Sequence, residues 1–238
     1  MIHDMKPELG IPHAAVREAF RTERGIYYVG DALEILPALE EGSVDVVFTD
    51  PPFFLEDDGQ YGSYKSYVAA LPYLARVMKQ DAWLLVYFPS NRLDAALRDT
   101  GQYFTYVDRF VVLYQSNTSK GAFSGKRTLE LLVFQKGKPK TSGRTPMDVL
   151  DGVEDPLIVH THPRGSVWKP TLPTAILLSH VFAPGSDGVV LDPFAGYGSI
   201  PACAEALGLR WVAMDNDPEK VEIAKGIVGA VHAVRSNY

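Results

Sequence analysis

The sequence predicts an α/β fold built on a mostly parallel, doubly wound sheet with helices on both faces. Two observations carry this. Short apolar runs at 26–30, 44–49, 83–88, 188–192 and 211–215 alternate with longer segments of helical spacing. Several of these runs are continuously apolar rather than alternating, as strands covered on both faces are. A length of 238 residues, 46% of them hydrophobic, suits one domain of this size. The chain therefore reads as a single domain over 1–238.

In chain order, residues 1–24 form a polar lead with a helix predicted at 13–22. A short strand at 26–30 ends at Asp31, and Leu33, Leu36 and Leu39 suggest a helical turn or two closing near Gly42. The strand 44–49 stops at Pro51 and Pro52, which have no N–H to give to a sheet. Residues 55–63 are polar and glycine-containing, so a loop is expected. Helical spacing returns from Tyr64 to Gln80, with Pro72 inside it. The strand 83–88 leads to a short helix at 91–99, for which Ser90 is the expected cap. Two strand-like runs at 104–114 and 128–135 flank a Ser-, Thr-, Gly- and Lys-rich hairpin loop, and 136–167 reads as irregular. Regular structure resumes with a helix at 171–182, the strand 188–192, a helix at 199–207, the strand 211–215 and a helix at 217–231.

Charge and cysteine content exclude several classes. One cysteine, Cys203, rules out a disulfide framework or a cysteine-based metal site, and a reducing cytoplasm is expected. Cys203 itself reads as core. No apolar run reaches the ~20 residues of a membrane span, and the N-terminal residues do not read as a signal peptide. The net charge of −6 argues against a generally adhesive nucleic-acid binder. The distribution is uneven, however. Residues 1–58 hold 4 Lys and Arg against 13 Asp and Glu, whereas 118–144 hold 7 against Glu130 alone. A basic segment in an acidic protein is a candidate phosphate-contacting surface. His160 and His162 have no evident partner ligands, and no metal is expected.

Two loops carry the chemistry. Asp50-Pro51-Pro52-Phe53 leaves a strand end, the place where open α/β sheets bind ligands. It offers a carboxylate, carbonyls preceding prolines, and an aromatic face, with Phe54 a weaker candidate for the pocket wall. These suit a planar ligand bearing an amino group. The second loop, Asp192-Pro193-Phe194-Ala195-Gly196-Tyr197-Gly198-Ser199, joins a strand to a helix. The next strand ends in Asp215, 23 residues after Asp192. That layout matches the β-α-β nucleotide-binding unit, in which an acid takes the ribose hydroxyls.

In this order the two motifs resemble those of the β-class amino-type DNA methyltransferases, which use S-adenosylmethionine. D-P-P-F is similar to their catalytic motif, D/N/S-P-P-Y/F/W. D-P-F-A-G-Y-G-S, 142 residues later, is similar to their cofactor motif. Gly30-Asp31-Ala32-Leu33 with Ser43-Val44-Asp45, the stretch Glu130 to Gly137, and Trp168-Lys169-Pro170 resemble further family motifs. The resemblance covers roughly 25–137 and 168–231.

It implies a Rossmann-like methyltransferase with a catalytic half at 25–114, a target-recognition insertion at 115–167 and a cofactor half at 168–238. Asp50, Pro51, Pro52 and Phe53 are the implied catalytic residues, Phe53 standing where most relatives have Tyr. For the cofactor the implied residues are Asp31, Ala32, Lys169, Asp192, Phe194, Ala195, Gly196, Gly198, Ser199, Asp215 and Asn216. Lys120, Lys126, Arg127 and Lys138 are candidate phosphate contacts on double-stranded DNA, and Arg164 a candidate base contact. By family habit D-P-P goes with the N6 of adenine, with the N4 of cytosine as the alternative. A catalytically inert cofactor- or DNA-binding relative is the alternative of another class. A homodimer is compatible with the family and would add DNA contacts to a short recognition region.

Overall fold

The structure, a computed structural model, describes residues 17–53, 64–113, 128–151 and 171–235. Its elements are β1 (Arg17–Arg21), β2 (Gly25–Val29), α1 (Ala32–Ile35, extended by a 3₁₀ turn Leu36–Ala38), β3 (Val44–Thr49), α2 (Tyr64–Val77), β4 (Met78–Phe88), α3 (Leu93–Thr100), β5 (Thr105–Leu113), β6 (Thr128–Lys136), β7 (Val149–Asp151), α4 (Thr171–Val181), β8 (Val189–Asp192), α5 (Ser199–Ala206), β9 (Arg210–Asp215) and α6 (Pro218–Arg235).

All the described strands join one sheet in the order β1-β2-β9-β8-β3-β4-β6-β5-β7. Pairing is parallel from β2 through β9, β8 and β3 to β4, and between β5 and β7. It is antiparallel for β1 with β2 and for β6 with its two neighbours. The direction of winding reverses between β8 and β3. From β8 the chain proceeds to β9 on one side, and from β3 it proceeds to β4 on the other. A crevice at the carboxyl ends of the strands is expected at such a reversal.

The pleat divides the core in two. Val44, Val47, Leu84, Val86, Leu191 and Met214 meet α1, α2 and α3 on one face. Val46, Phe48, Leu85, Tyr87, Val190 and Trp211 meet α4, α5 and α6 on the other. The central strands thus bury both faces, which is why they read as unbroken apolar runs.

The structure corrects four local expectations. Residues 17–21, expected in a helix, form β1, paired along the edge of β2 with Phe20 stacked on Tyr27 at 5.3 Å. That pairing along a sheet edge overrides the good helix propensity of Arg17, Glu18, Ala19 and Arg21, since so short a helical segment is marginal on its own. Helix α2 ends at Val77 and the chain enters β4 directly; Lys136 Nζ donates to the carbonyls of Ala75 and Met78 there, at 2.7 and 2.8 Å. Ser90 does not cap α3, because a 3₁₀ turn (Ser90–Arg92) intervenes. Within 136–151, expected to be irregular, three residues form β7 against β5. The expected loops at 55–63 and 115–127 lie outside the described residues.

Candidate active site

The two Asp-Pro loops become neighbours because β3 and β8 are paired in parallel, Val47 opposite Leu191. Motifs 142 residues apart in sequence therefore leave the sheet side by side. A buried hydrogen bond joins them directly. Thr49 Oγ1 donates to Asp192 Oδ1 at 2.8 Å, and the Phe194 N–H donates to the same oxygen at 3.2 Å. Thr49 and Asp192 are essentially inaccessible to solvent. Burial, then the charges of Asp50 and Asp215, push the Asp192 carboxyl up to about 8, against the hydrogen bonds from Thr49 and Phe194.

The loop after β8 is fixed from several directions. The Ala195 N–H donates to the Met214 carbonyl at 3.0 Å, and the Gly196 N–H to Asp215 Oδ2 at 2.8 Å. Tyr27, fully buried on β2, donates its hydroxyl to the Gly196 carbonyl at 2.7 Å. The two glycines serve different ends. Gly196 (φ +51°) faces open space, since a Cβ there would meet only Asp215 Oδ2, at 3.9 Å. Gly198 (φ +83°) lies against α6, where a Cβ would come within 2.9 Å of the Ala224 Cβ. One glycine keeps a cradle open and the other lets a helix approach. Ser199 opens α5 and is buried, while Asn216 is exposed.

Asp215 closes the cradle on its far side. Its Oδ1 accepts from the Asp217 N–H at 2.9 Å while Oδ2 takes Gly196. Burial raises its pKa despite these donors. Asp31 is exposed and caps α1, accepting from the Leu33 N–H at 2.8 Å; Ala32 behind it is buried.

The loop after β3 is set by packing. Pro51 is buried, whereas Asp50, Pro52 and Phe53 are half-buried. The Phe53 ring lies 5.6 Å from that of Phe88, at 54°. Phe88 in turn meets Tyr64 and Tyr67, at 6.1 and 5.4 Å. The aromatic face at this crevice thus rests on a buried aromatic group.

Of the other residues singled out in the sequence, Phe54, Lys120, Lys126, Arg127, His160, His162, Arg164 and Lys169 lie outside the described residues. Leu113 and Thr128, which bound the basic 114–127 stretch, are paired at the carboxyl end of β4, beside the crevice. Lys138 is at the opposite end of the sheet. Lys136 pairs with Ala82 near the start of β4, and the Lys138 N–H donates to Asp81 Oδ1 at 2.7 Å. It therefore does not share a surface with Asp50. Cys203 is buried in α5, its thiol directed at the Thr171 carbonyl, 3.4 Å away. No metal-ligand cluster occurs among the described residues, and no helix among them is long and apolar enough to cross a membrane.

Sequence reading missed three residues. Thr49 showed only as a polar end to an apolar strand, and Tyr27 gave no local signal. Glu205, fully buried on α5, accepts from Thr22, Trp211 and His232, each at 2.8 Å, and lies 3.5 Å from Arg235. A lone Glu in an apolar helix was the available hint.

The likeness to solved structures bears on the fold. PvuII DNA methyltransferase (cytosine-N4-specific) superposes with a TM-score of 0.70 at 19% identity, over 91% of this chain and 94% of that one. TTHA0409 from Thermus thermophilus, solved with S-adenosyl-L-methionine, gives 0.66 at 20% identity, over 89% and 96%. The fold is thus the Rossmann-like one of S-adenosylmethionine-dependent methyltransferases. In sequence, YubD of Escherichia coli (strain K12) is 29% identical over 196 residues, 78% of this chain and 82% of that protein. The family model described as DNA methylase, which spans the N6 and N4 amino-type enzymes, matches residues 44–226. That match begins at β3, takes in both loops and ends within α6; the chain belongs to the N6/N4 DNA methylase family.

Proposed function

We propose that this protein moves the methyl group of S-adenosylmethionine to the exocyclic N6 of an adenine flipped out of double-stranded DNA. The observation that carries the reading is the juxtaposition of the D-P-P-F and D-P-F-A-G-Y-G-S loops at the reversal between β3 and β8. The open space at Gly196, beside the Asp215 carboxyl group, is compatible with a ligand that carries ribose hydroxyls.

In this reading Asp215 and Asn216 hold the ribose. Asp192 faces the cofactor's ammonium group, Phe194 to Ser199 enclose its methionine end, and Lys169 faces its carboxylate. Asp31 and Ala32 border the adenine. The bound cofactor supplies a methyl group on a sulfonium. The Asp50 carboxylate and the Pro51 carbonyl accept hydrogen bonds from the target amino group, which shifts electron density onto its nitrogen as it attacks. The carbon–sulfur bond breaks as the carbon–nitrogen bond forms, and Asp50 receives the departing proton, directly or through water. Pro52 stiffens the loop. Phe53 stacks on the extruded base, a contact worth roughly 1–3 kcal/mol that needs no hydroxyl. Lys120, Lys126 and Arg127 contact phosphates; Lys138 is left out of this surface by its position. A homodimer would supply further DNA contacts.

The likeness to the cytosine-N4-specific PvuII enzyme favours a second reading, transfer to the N4 of cytosine. One experiment separates them: labelled S-adenosylmethionine, unmethylated genomic DNA and nucleoside analysis, with Asp50→Ala alongside. N6-methyladenine is expected, and Asp50→Ala should lower kcat by about 100- to 1000-fold while cofactor binding persists. N4-methylcytosine would correct the base. Cofactor binding without labelled DNA would overturn the reading.

A further inference from the structure

Among the described residues, Thr49 is the polar side chain that ties the two loops together while belonging to neither motif. It ends β3, adjoins Asp50, and sits with no solvent exposure in a run otherwise made of Val44, Val46, Val47 and Phe48 apart from Asp45. Its hydroxyl donates to Asp192 Oδ1, the same oxygen that receives the Phe194 N–H at the start of the cofactor loop. A valine would fill nearly the same volume without placing a hydroxyl against a buried carboxyl group. The hydroxyl is therefore unexplained by packing alone.

We propose that Thr49 is a positioning residue that transmits occupation of the cofactor loop to the catalytic loop. The inference rests on the reading of the crevice as a methyl-transfer site. A cationic group beside Asp192 favours its ionised form, and a hydroxyl donates more strongly to a carboxylate than to a neutral carboxyl. The Thr49–Asp192 bond then tightens, and the backbone leading straight into Asp50 is held against the cofactor loop. Burial supports this, because without a cation beside it the Asp192 carboxyl is pushed up to about 8 and is largely neutral at lower pH. Cofactor and DNA thereby bind with positive coupling, and each should raise the affinity of the other by the same factor.

The test uses the full chain, S-adenosylhomocysteine as the binding probe and unmethylated genomic DNA. Its Kd is measured with and without saturating DNA, and kcat and KM are measured for methyl transfer. Thr49→Val should lower kcat by about 10- to 100-fold, the effect of losing one hydrogen bond to a charged group, and should abolish the coupling. Its KM for S-adenosylmethionine should move less than kcat does, and Thr49→Ser should restore both rate and coupling. Thr49→Ala replaces the valine variant if that one does not fold. A valine variant with wild-type rate and coupling, beside an inactive Asp50→Ala, would overturn the inference and leave the methyl-transfer reading intact. Equal losses in the valine and serine variants would also overturn it, since the hydroxyl would then not be the cause. A wild-type chain that binds the probe but methylates no DNA would overturn both.

Discussion

The loops after β3 and β8 begin alike, with Asp-Pro at the end of a buried parallel strand, yet they are held in different ways. The second is fixed through its backbone: Ala195 and Gly196 donate to β9, Gly196 accepts from Tyr27, and the chain passes at once into α5. The first is held through side chains, with Phe53 on the Phe88–Tyr64–Tyr67 aromatic group. Their aspartates differ accordingly. Asp192 is buried and hydrogen-bonded to Thr49, whereas Asp50 is half-buried at the crevice. Under the proposed function, backbone anchoring suits a loop that takes the same cofactor at every turnover, and side-chain packing suits one that must receive a base from outside.

This contrast can be broken from behind, at the helix that carries the second loop. Glu205→Ala would leave the Trp211 and His232 donors and the Arg235 charge without their acceptor. A loss of about 3–5 kcal/mol is expected, read as a fall in the urea midpoint. Burial alone would raise the Glu205 carboxyl, but the donors and Arg235 hold it below its usual value. Its share of the stability is therefore present at neutral pH and fades as the pH falls below the ordinary carboxylate range.

The two glycines sharpen the comparison. Gly198→Ala combines a strained φ with overlap against Ala224 and should cost about 2–4 kcal/mol in thermal or denaturant unfolding. Gly196→Ala meets only the conformational strain, about 1–2 kcal/mol, and should instead weaken S-adenosylhomocysteine binding. Equal melting temperatures for the two variants would refute the division of labour.

Asp192 gives a pH signature of opposite sign to that of Glu205. Its carboxyl is raised to about 8 in the folded chain, so between its unfolded value and that point the folded state holds the extra proton. Its contribution to stability is complete at low pH and is lost as the pH rises, with a slope of up to about 1.4 kcal/mol per pH unit. Melting of the cofactor-free protein from pH 5 to 8 should show this decline, and Asp192→Asn should flatten it. The smallest expected effect is that of Tyr27→Phe. It removes one partly buried hydrogen bond, costs about 1 kcal/mol, and should loosen the glycine loop enough to weaken S-adenosylhomocysteine binding a few-fold, measured by calorimetry.

Much of the fold is legible in the chain's local patterns. Strand 44–49 has the predicted bounds, and the helices after Thr171, Ser199 and Asp217 lie within a few residues of expectation. Proline and glycine stop strands locally, and apolar periodicity is a local property, so these features are written in short stretches. The role of Asp31 shows where this ends, because the same residue reads equally well as a helix cap, which it is, and as a cofactor contact. Glu205 shows it again. Its partners come from β9, α6 and the turn after β1, and no window of sequence contains them together.

By itself the sequence determined most of the element types, the breaks at Pro51 and Gly196, and the presence of an Asp-Pro-Pro-Phe loop and a glycine-rich one. Their physical causes act over a few residues. Tertiary structure alone decided that β3 and β8 are neighbours, that Thr49 meets Asp192, that residues 17–21 pair as an edge strand, and that Lys138 lies at the end of the sheet opposite the crevice. Those outcomes depend on which strand edges and apolar faces find one another across the whole chain, and burial of the entire sheet selects among the pairings.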